Sequence, residues 1–159
     1  MRYLLITLLI FSNCKSLSSL RVQDSESIFY ESVNKYNEIN DCSVRAVADL
    51  FDLSYYKALQ LTKSWGRGSR KGMPLNLLLK GVRKDFRGRI VSLTEVNGVI
   101  DAKYLVDNIV EEGFSYLAIT KNHAFVIKKL KKDQKYWYLI GNYNDNKKYI
   151  IGYIQVKKL

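Results

Sequence analysis

The stretch Asn40-Asp41-Cys42-Ser43-Val44-Arg45-Ala46 lies a quarter of the way along this 159-residue chain and opens an amphipathic run. Because Asn and Asp favour helix N-cap positions, the pattern predicts a helix from about Asp41 to Phe51, with Cys42 in its first turn. The free backbone N–H groups and the positive dipole end of a helix N-terminus stabilise a thiolate. Cys42 is therefore a candidate nucleophile. The alternative is a small buried residue on the apolar helix face, since free cysteine is among the most buried residue types.

Composition indicates one folded domain with appendages. The chain is 47% hydrophobic and 13% aromatic, which argues against disorder. A formal net charge of +11 predicts attraction to anionic partners such as lipid headgroups, acidic polymers or nucleic acid, without choosing among them. Codon bias is an equally good explanation of the excess of Lys.

The N-terminus has the pattern of a targeting segment. The apolar run Tyr3–Phe11 is too short to span a bilayer as a helix but suits the core of a signal peptide. With Cys14 after it, the segment resembles a bacterial lipoprotein signal, in which that cysteine is acylated and becomes the mature N-terminus. Phe11 and Asn13 depart from the usual Leu and small residue at their positions. Plain secretion and an uncleaved anchor are the alternatives.

These features divide the chain into three parts: a signal peptide over residues 1–13, a polar tether over 14–29 and a folded domain over 30–159. The tether is rich in Ser and has no core of its own. If Cys14 is acylated, Cys42 has no disulfide partner, which is unusual for an exported protein and favours a functional role for its thiol.

The folded part begins with helical patterns and ends with strand patterns. Ser54 caps a predicted helix and Pro74 opens another, whereas Asp101 caps a helix that we expect to end at Gly113. Segregated helices and antiparallel strands predict an α+β fold of two layers or lobes. The predicted helices after the first are Tyr55 to Trp65, Leu75 to Lys84 and Asp101 to Glu112; the predicted strands are Arg89 to Val96, Phe114 to Thr120, His123 to Leu130, Lys135 to Asn142 and Tyr149 to Val156, with 131–134 as a hairpin loop.

Two further features bear on function. The stretch Gly66–Gly72 holds three glycines and three cations, which predicts a mobile, solvated loop or, as the alternative, a flap beside a site. His123 is the single histidine and opens a predicted strand. One Cys followed about eighty residues later by one His is the long-range arrangement that a Cys–His nucleophilic pair requires. A histidine at a strand end with no catalytic role is the alternative.

The order of these motifs resembles a family of small papain-like cysteine peptidase-type proteins of phage and bacterial genomes. The resemblance rests on Asp41-Cys42-x-x-Arg45-Ala46, Ser54-Tyr55, the Gly-rich loop and Asn122-His123, and it covers roughly Tyr36 to Gly152. It implies a papain-like fold, in which an N-terminal helical lobe bearing the Cys packs on a C-terminal antiparallel sheet bearing the His.

The resemblance also implies roles for individual residues. Cys42 matches the nucleophile and His123 the general base, while Asn142 matches the residue that orients the His ring. Such enzymes place a Gln oxyanion donor about six residues before the Cys. Tyr36 stands there in this chain, so Asn37 is the candidate donor together with the backbone N–H of Cys42. Alternatives to Asn142 as the orienting residue are Asn144 and Asp145.

The sequence thus predicts an exported, lipid-anchored thiol hydrolase of the cell envelope that acts on a peptide or amide substrate. We expect no metal or cofactor, since one His and one free Cys do not build a zinc site. The first alternative is an inactive papain-like surface lipoprotein that serves as a binding module. A specific nucleic-acid binder is not expected, because no recognisable module is present and the charge is dispersed.

Overall fold

The computed structural model describes residues 20–21, 35–132, 135–141 and 149–158, in which four α-helices accompany a six-stranded sheet. The strand order is β1-β5-β4-β3-β6-β2, and every neighbouring pair is antiparallel except β1 and β5. The predicted α+β class is therefore confirmed. The helices are α1 (Cys42–Phe51), α2 (Tyr55–Ser64), α3 (Leu75–Phe86) and α4 (Ala102–Asn108); the strands are β1 (Leu20–Arg21), β2 (Ile90–Ile100), β3 (Phe114–Ile119), β4 (Ala124–Lys132), β5 (Lys135–Gly141) and β6 (Ile150–Lys157).

Helix α1 begins and ends where local sequence rules place it. The carbonyl of Asp41 accepts hydrogen bonds from the N–H groups of Val44 and Arg45, at 2.8 and 3.0 Å. At the other end, Asp52 adopts a left-handed conformation with φ 54°, which stops the helix. Seven of the ten side chains are buried, so α1 is the central helix of the core.

Helices α2 and α3 are also set by local signals. Ser54 caps α2 by accepting a hydrogen bond from the N–H of Lys57, and Pro74 precedes the first turn of α3. The two helices meet at Gly81 of α3, where the ring of Trp65 fills the place of a side chain. They form one layer with α1.

The sheet is apolar on both faces, which the prediction of two layers missed. Alternate residues of β3 and β4 enter two separate core clusters. Leu117 and Val126 face the cluster of α1, α2 and α3, whereas Ala118 and Phe125 face the cluster of α4. Because both sets are buried, helices cover both faces and the domain has three layers.

The ends of α4 and β2 differ most from prediction. Helix α4 ends at Asn108, not at Glu112, because the N–H groups of Ile109 and Val110 both bond to the carbonyl of Leu105. Gly113, with φ 85°, instead precedes β3. Strand β2 continues to Ile100 rather than ending near Val96.

Strand pairing also bears on two predicted connections. Lys132 pairs with Lys135, so β4 and β5 form the predicted hairpin, whose turn residues lie outside the described part of the chain. Leu20 and Arg21, within the stretch predicted as a tether with no core of its own, pair in parallel with Tyr138 and Leu139 of β5.

Candidate functional site

The C-terminal end of α1 is tied to one end of the sheet by two contacts. Asp52 accepts a hydrogen bond at 2.7 Å from Lys128 of β4. The guanidinium of Arg89 lies 5.2 Å from the ring centre of Phe51 and donates to the carbonyl of Lys157, in β6, at 3.2 Å. These contacts orient the helix on the sheet.

From this end, α1 extends across the sheet toward the start of β4. Val44, in its first turn, is fully buried and shares a core cluster with Ile119 and Ala124 at the opposite sheet end. Cys42 to Asp52 spans about 15 Å of helix, and His123 to Lys128 spans about 16 Å of extended chain. We infer that the first turn of α1 and the start of β4 lie at the same end of the sheet.

Cys42 is the first residue of α1, as predicted. Its free side chain is partly exposed, while Asp41 and Ser43 on either side are buried. The thiol is thus accessible at a helix N-terminus rather than enclosed in the core.

The carboxylate of Asp41, next to Cys42, is held from two sides. Its Oδ2 accepts a hydrogen bond from the buried hydroxyl of Tyr55, and its Oδ1 accepts one from Nε of Arg45, both at 3.0 Å. Burial and the negative charge of Asp41 raise the pKa of Tyr55, so its hydroxyl stays a donor. Asp41 therefore serves tertiary packing, and its side chain does not cap α1.

A buried ion pair, which sequence reasoning missed, lies just before this turn. Nη2 of Arg67 donates to Oε2 of Glu38 at 3.0 Å, and both side chains are almost fully buried. The same oxygen accepts from the backbone N–H of Arg70 at 2.9 Å. Burial by itself raises the pKa of Glu38, but the hydrogen bonds and charge of Arg67 outweigh it, so the pKa lies below its ordinary value.

The ion pair corrects the prediction of a solvated loop at one residue of Gly66–Gly72: Arg67 is an interior residue, whereas the other six residues are exposed as predicted. Nη2 of Arg67 also donates to the carbonyl of Ile39, three residues before Cys42, at 3.4 Å. Among the described residues, Nε and Nη1 of Arg67 find no hydrogen-bond partner, so Glu38 is the group that compensates its charge. No local pattern in the sequence signals a pair separated by 29 residues.

His123 directly precedes β4, with its ring on the α4 side of the sheet. The ring stacks with that of Phe125 at a centroid distance of 6.1 Å, and Phe125 belongs to the α4 cluster. The carbonyl of His123 accepts a hydrogen bond from the N–H of Thr120 at 2.8 Å, which closes the turn between β3 and β4.

The other candidate residues lie on the turn before α1 or outside the described residues. Asn37 is exposed, with φ 48° in the left-handed region. Tyr36, at the position where the resemblance implies a Gln, stacks with Tyr55 at 5.5 Å and with Tyr56 at 6.0 Å. The residues outside the description are Cys14, Asn142, Asn144 and Asp145.

Within residues 20–21, 35–132, 135–141 and 149–158, no three His, Cys, Asp or Glu side chains converge as a metal site. In the same ranges, no helix has the length and apolarity to cross a bilayer.

Comparisons with known proteins return nothing for this chain. No protein-family model matches it, and neither the curated proteins nor the solved structures contain a match.

Proposed function

We propose that this protein is a papain-like thiol hydrolase, a peptidase or amidase that acts by acyl transfer, with Cys42 as the nucleophile. The observation that carries the proposal is the position of Cys42, a free and partly exposed thiol at the first residue of α1. The bond between Asp52, after the last turn of α1, and Lys128, five residues after His123, supports the inference that His123 lies near the other end of α1.

The proposed chemistry follows from these groups. The Cys42 thiolate attacks the substrate carbonyl, and the thiol proton passes to His123 and then to the departing amine. Water then cleaves the thioester and releases the acid. The backbone N–H of Cys42 and the amide of Asn37 stabilise the oxyanion, while Asn142 orients His123. Gly141, directly before Asn142, pairs with Val126, three residues after His123.

The carboxylate next to Cys42 is paired within the first turns of α1. Nη2 of Arg45 lies 3.0 Å from Oδ1 of Asp41, so the guanidinium compensates the negative charge of that carboxylate.

The orientation of His123 supports a second candidate function. Its ring stacks on Phe125, on the side of the sheet opposite α1. In this second function, the His123 ring serves to pack against Phe125 and does not act as a base for Cys42. The corresponding function is an inactive papain-like binding module at the cell surface.

Thiol labelling separates the two functions. The probe is iodoacetamide on the full chain carrying Cys14→Ser, which leaves Cys42 as the one thiol. The hydrolase predicts that Cys42 reacts faster than free cysteine near pH 6.5 and that His123→Ala slows it at least tenfold. Equal rates for Cys42, free cysteine and the His123→Ala variant would contradict the hydrolase and favour the binding module. Tyr56→Phe, an exposed change, is the control.

We further propose export and attachment to a membrane through acylated Cys14, on the strength of the signal-like segment before it. Metabolic labelling with a fatty acid tests this attachment. Incorporation that disappears in Cys14→Ser and persists in Cys42→Ser is the expected result; incorporation that persists in Cys14→Ser would overturn it.

A further inference from the structure

Four exposed cations lie along one face of helix α3 and of the turn that follows it. Lys80, Arg83, Lys84 and Arg87 follow the spacing i, i+3, i+4, i+7, which aligns them along the helix and the turn after it. We call these four residues the basic stripe. The stripe is about 10 Å long at the rise of a helix.

The opposite face of α3 is fixed in the core, so the direction of the stripe is determined. Leu78, Gly81 and Val82 are buried, and each precedes a stripe residue by two positions, or about 200° around the helix. At Gly81 the packing is so close that a Cβ would lie 2.0 Å from the Trp65 ring. The helix therefore cannot rotate to hide its cations.

The stripe is also free of neutralising partners among the described residues. None of its four cations takes part in an ion pair of the described chain. Asp85, the acidic residue within this stretch of helix, is exposed, but its Oδ2 accepts a hydrogen bond from Nε1 of Trp65 at 2.6 Å. Four positive charges thus face solvent together, and none of them forms an ion pair within the described part of the chain.

We propose that the basic stripe docks on the anionic phospholipid headgroups of a membrane. Lys and Arg near an anionic bilayer each contribute to binding as point charges, without requiring a shaped pocket. A chain tethered through Cys14 would bring this stripe to such a surface, and in this respect the proposal rests on the proposed membrane attachment. Binding of single-stranded nucleic acid is disfavoured, because it needs aromatic rings among the cations. Phe86, the aromatic residue of α3, stacks on Phe51 in the core.

A matched pair of double variants tests the stripe. Lys80→Gln with Lys84→Gln removes two stripe charges, whereas Lys57→Gln with Lys121→Gln removes two exposed charges elsewhere. Both pairs are made in the full chain with Cys14→Ser, so acylation plays no part. Any contribution of the N-terminal apolar run is common to all variants and cancels. Binding is measured by co-sedimentation with two kinds of phosphatidylcholine vesicle. One kind contains about 30% phosphatidylglycerol, which makes its surface anionic, and the other contains none.

The stripe proposal predicts binding to the anionic vesicles that falls about thirtyfold in the stripe variant and much less in the control pair. Added salt should weaken it, because the charges are exposed. Equal losses in both pairs would overturn the proposal in favour of diffuse net charge. Binding of DNA that depends on the stripe, without vesicle binding, would overturn it in favour of a nucleic acid. Iodoacetamide labelling of the same variants reports separately on the hydrolase, since no stripe residue belongs to its site.

Discussion

At the scale of single residues, the buried polar groups before Cys42 set the geometry of the candidate site. Tyr55 donates to Asp41, and Arg67 donates to Glu38, so two carboxylates within the five residues that lead into α1 are satisfied from distant elements. A buried carboxylate that loses its donor is costly. The turn that presents Cys42 is thus rigid because of side chains contributed by α2 and the loop after it.

Tyr55 and Tyr56 provide a matched test of this arrangement. Tyr55→Phe leaves Oδ2 of Asp41 buried without its donor, and we expect a loss of about 1–3 kcal/mol in the free energy of unfolding. Tyr56 is exposed, and its hydroxyl accepts from Gln60, so Tyr56→Phe should change the stability by less than about 0.5 kcal/mol. Urea unfolding of both variants measures the difference. Equal stabilities would show that the Tyr55–Asp41 bond does not hold the turn.

The Glu38–Arg67 pair should make stability depend on pH. Since the pKa of Glu38 in the folded protein lies below the ordinary 4.5, the pair stabilises the fold above that pH. Its contribution is lost as the pH falls through the folded-state pKa. At neutral pH, Glu38→Gln leaves Arg67 without a counter-charge and should cost about 3–5 kcal/mol.

The difference in stability between wild type and Glu38→Gln should narrow as the pH falls from 4.5 through the lower folded-state pKa, because the wild-type carboxyl then also becomes neutral. Thermal unfolding of both proteins between pH 3 and pH 7, at intervals of about half a pH unit, measures this difference in stability. Glu95→Gln, a change at an exposed residue, is the control. A gap of constant size across this range would mean that the ionisation of Glu38 does not stabilise the fold.

At the scale of elements, α2 and α3 meet where one of them lacks a side chain. Gly81 is buried in α3, and the Trp65 ring occupies the space of its missing Cβ. Trp65 also donates to Asp85 one turn further along α3. This contact orients α3, and with it the outward face of the helix.

Gly81→Ala should destabilise the protein, although alanine is the better helix former. The gain in helix propensity is about 1 kcal/mol, whereas the overlap with Trp65 forces a shift that costs about 1–3 kcal/mol or more. Gly88→Ala is the matched control, because no atom lies within 4 Å of its added Cβ. Thermal unfolding should show a lower midpoint for Gly81→Ala alone. A raised midpoint would mean that α2 and α3 can separate without loss.

At the scale of the whole molecule, one sheet supports two cores. Strands β3, β4 and β6 contribute alternate residues to the α1 cluster and to the α4 cluster, so the clusters share a backbone. We therefore expect the domain to unfold as one cooperative unit.

Leu105→Ala tests this cooperativity from the α4 side. Leu105 is fully buried in the α4 cluster, and its truncation should cost about 2–5 kcal/mol. In a cooperative domain, this substitution lowers the free energy of native-state hydrogen exchange by the same amount for the most protected amides of α1 and for those of β3. Unchanged protection of α1 would show that the two cores unfold independently. Tyr104→Ala, at an exposed neighbour, is the control.

The prediction of elements was accurate where a local signal existed. Ser54 and Asp101 cap the helices that they were predicted to cap, with side-chain bonds to Lys57 and Tyr104. The predicted end of α4 is wrong: Gly113 favours a helix stop near Glu112, whereas the helix ends at Asn108. Caps act through residues three positions away, but helix ends also depend on what the next segment packs against.

The amino-acid sequence by itself determined the α+β class, a helix with Cys42 in its first turn and the hairpin of β4 and β5. These features follow from hydrophobic periodicity and turn-prone residues, which act over a few positions of the chain. Only the tertiary structure decided that Arg67 is buried against Glu38, that helices cover both sheet faces and that the His123 ring lies beside Phe125. Such contacts join residues from different elements or faces, and local patterns carry no information on which of them meet.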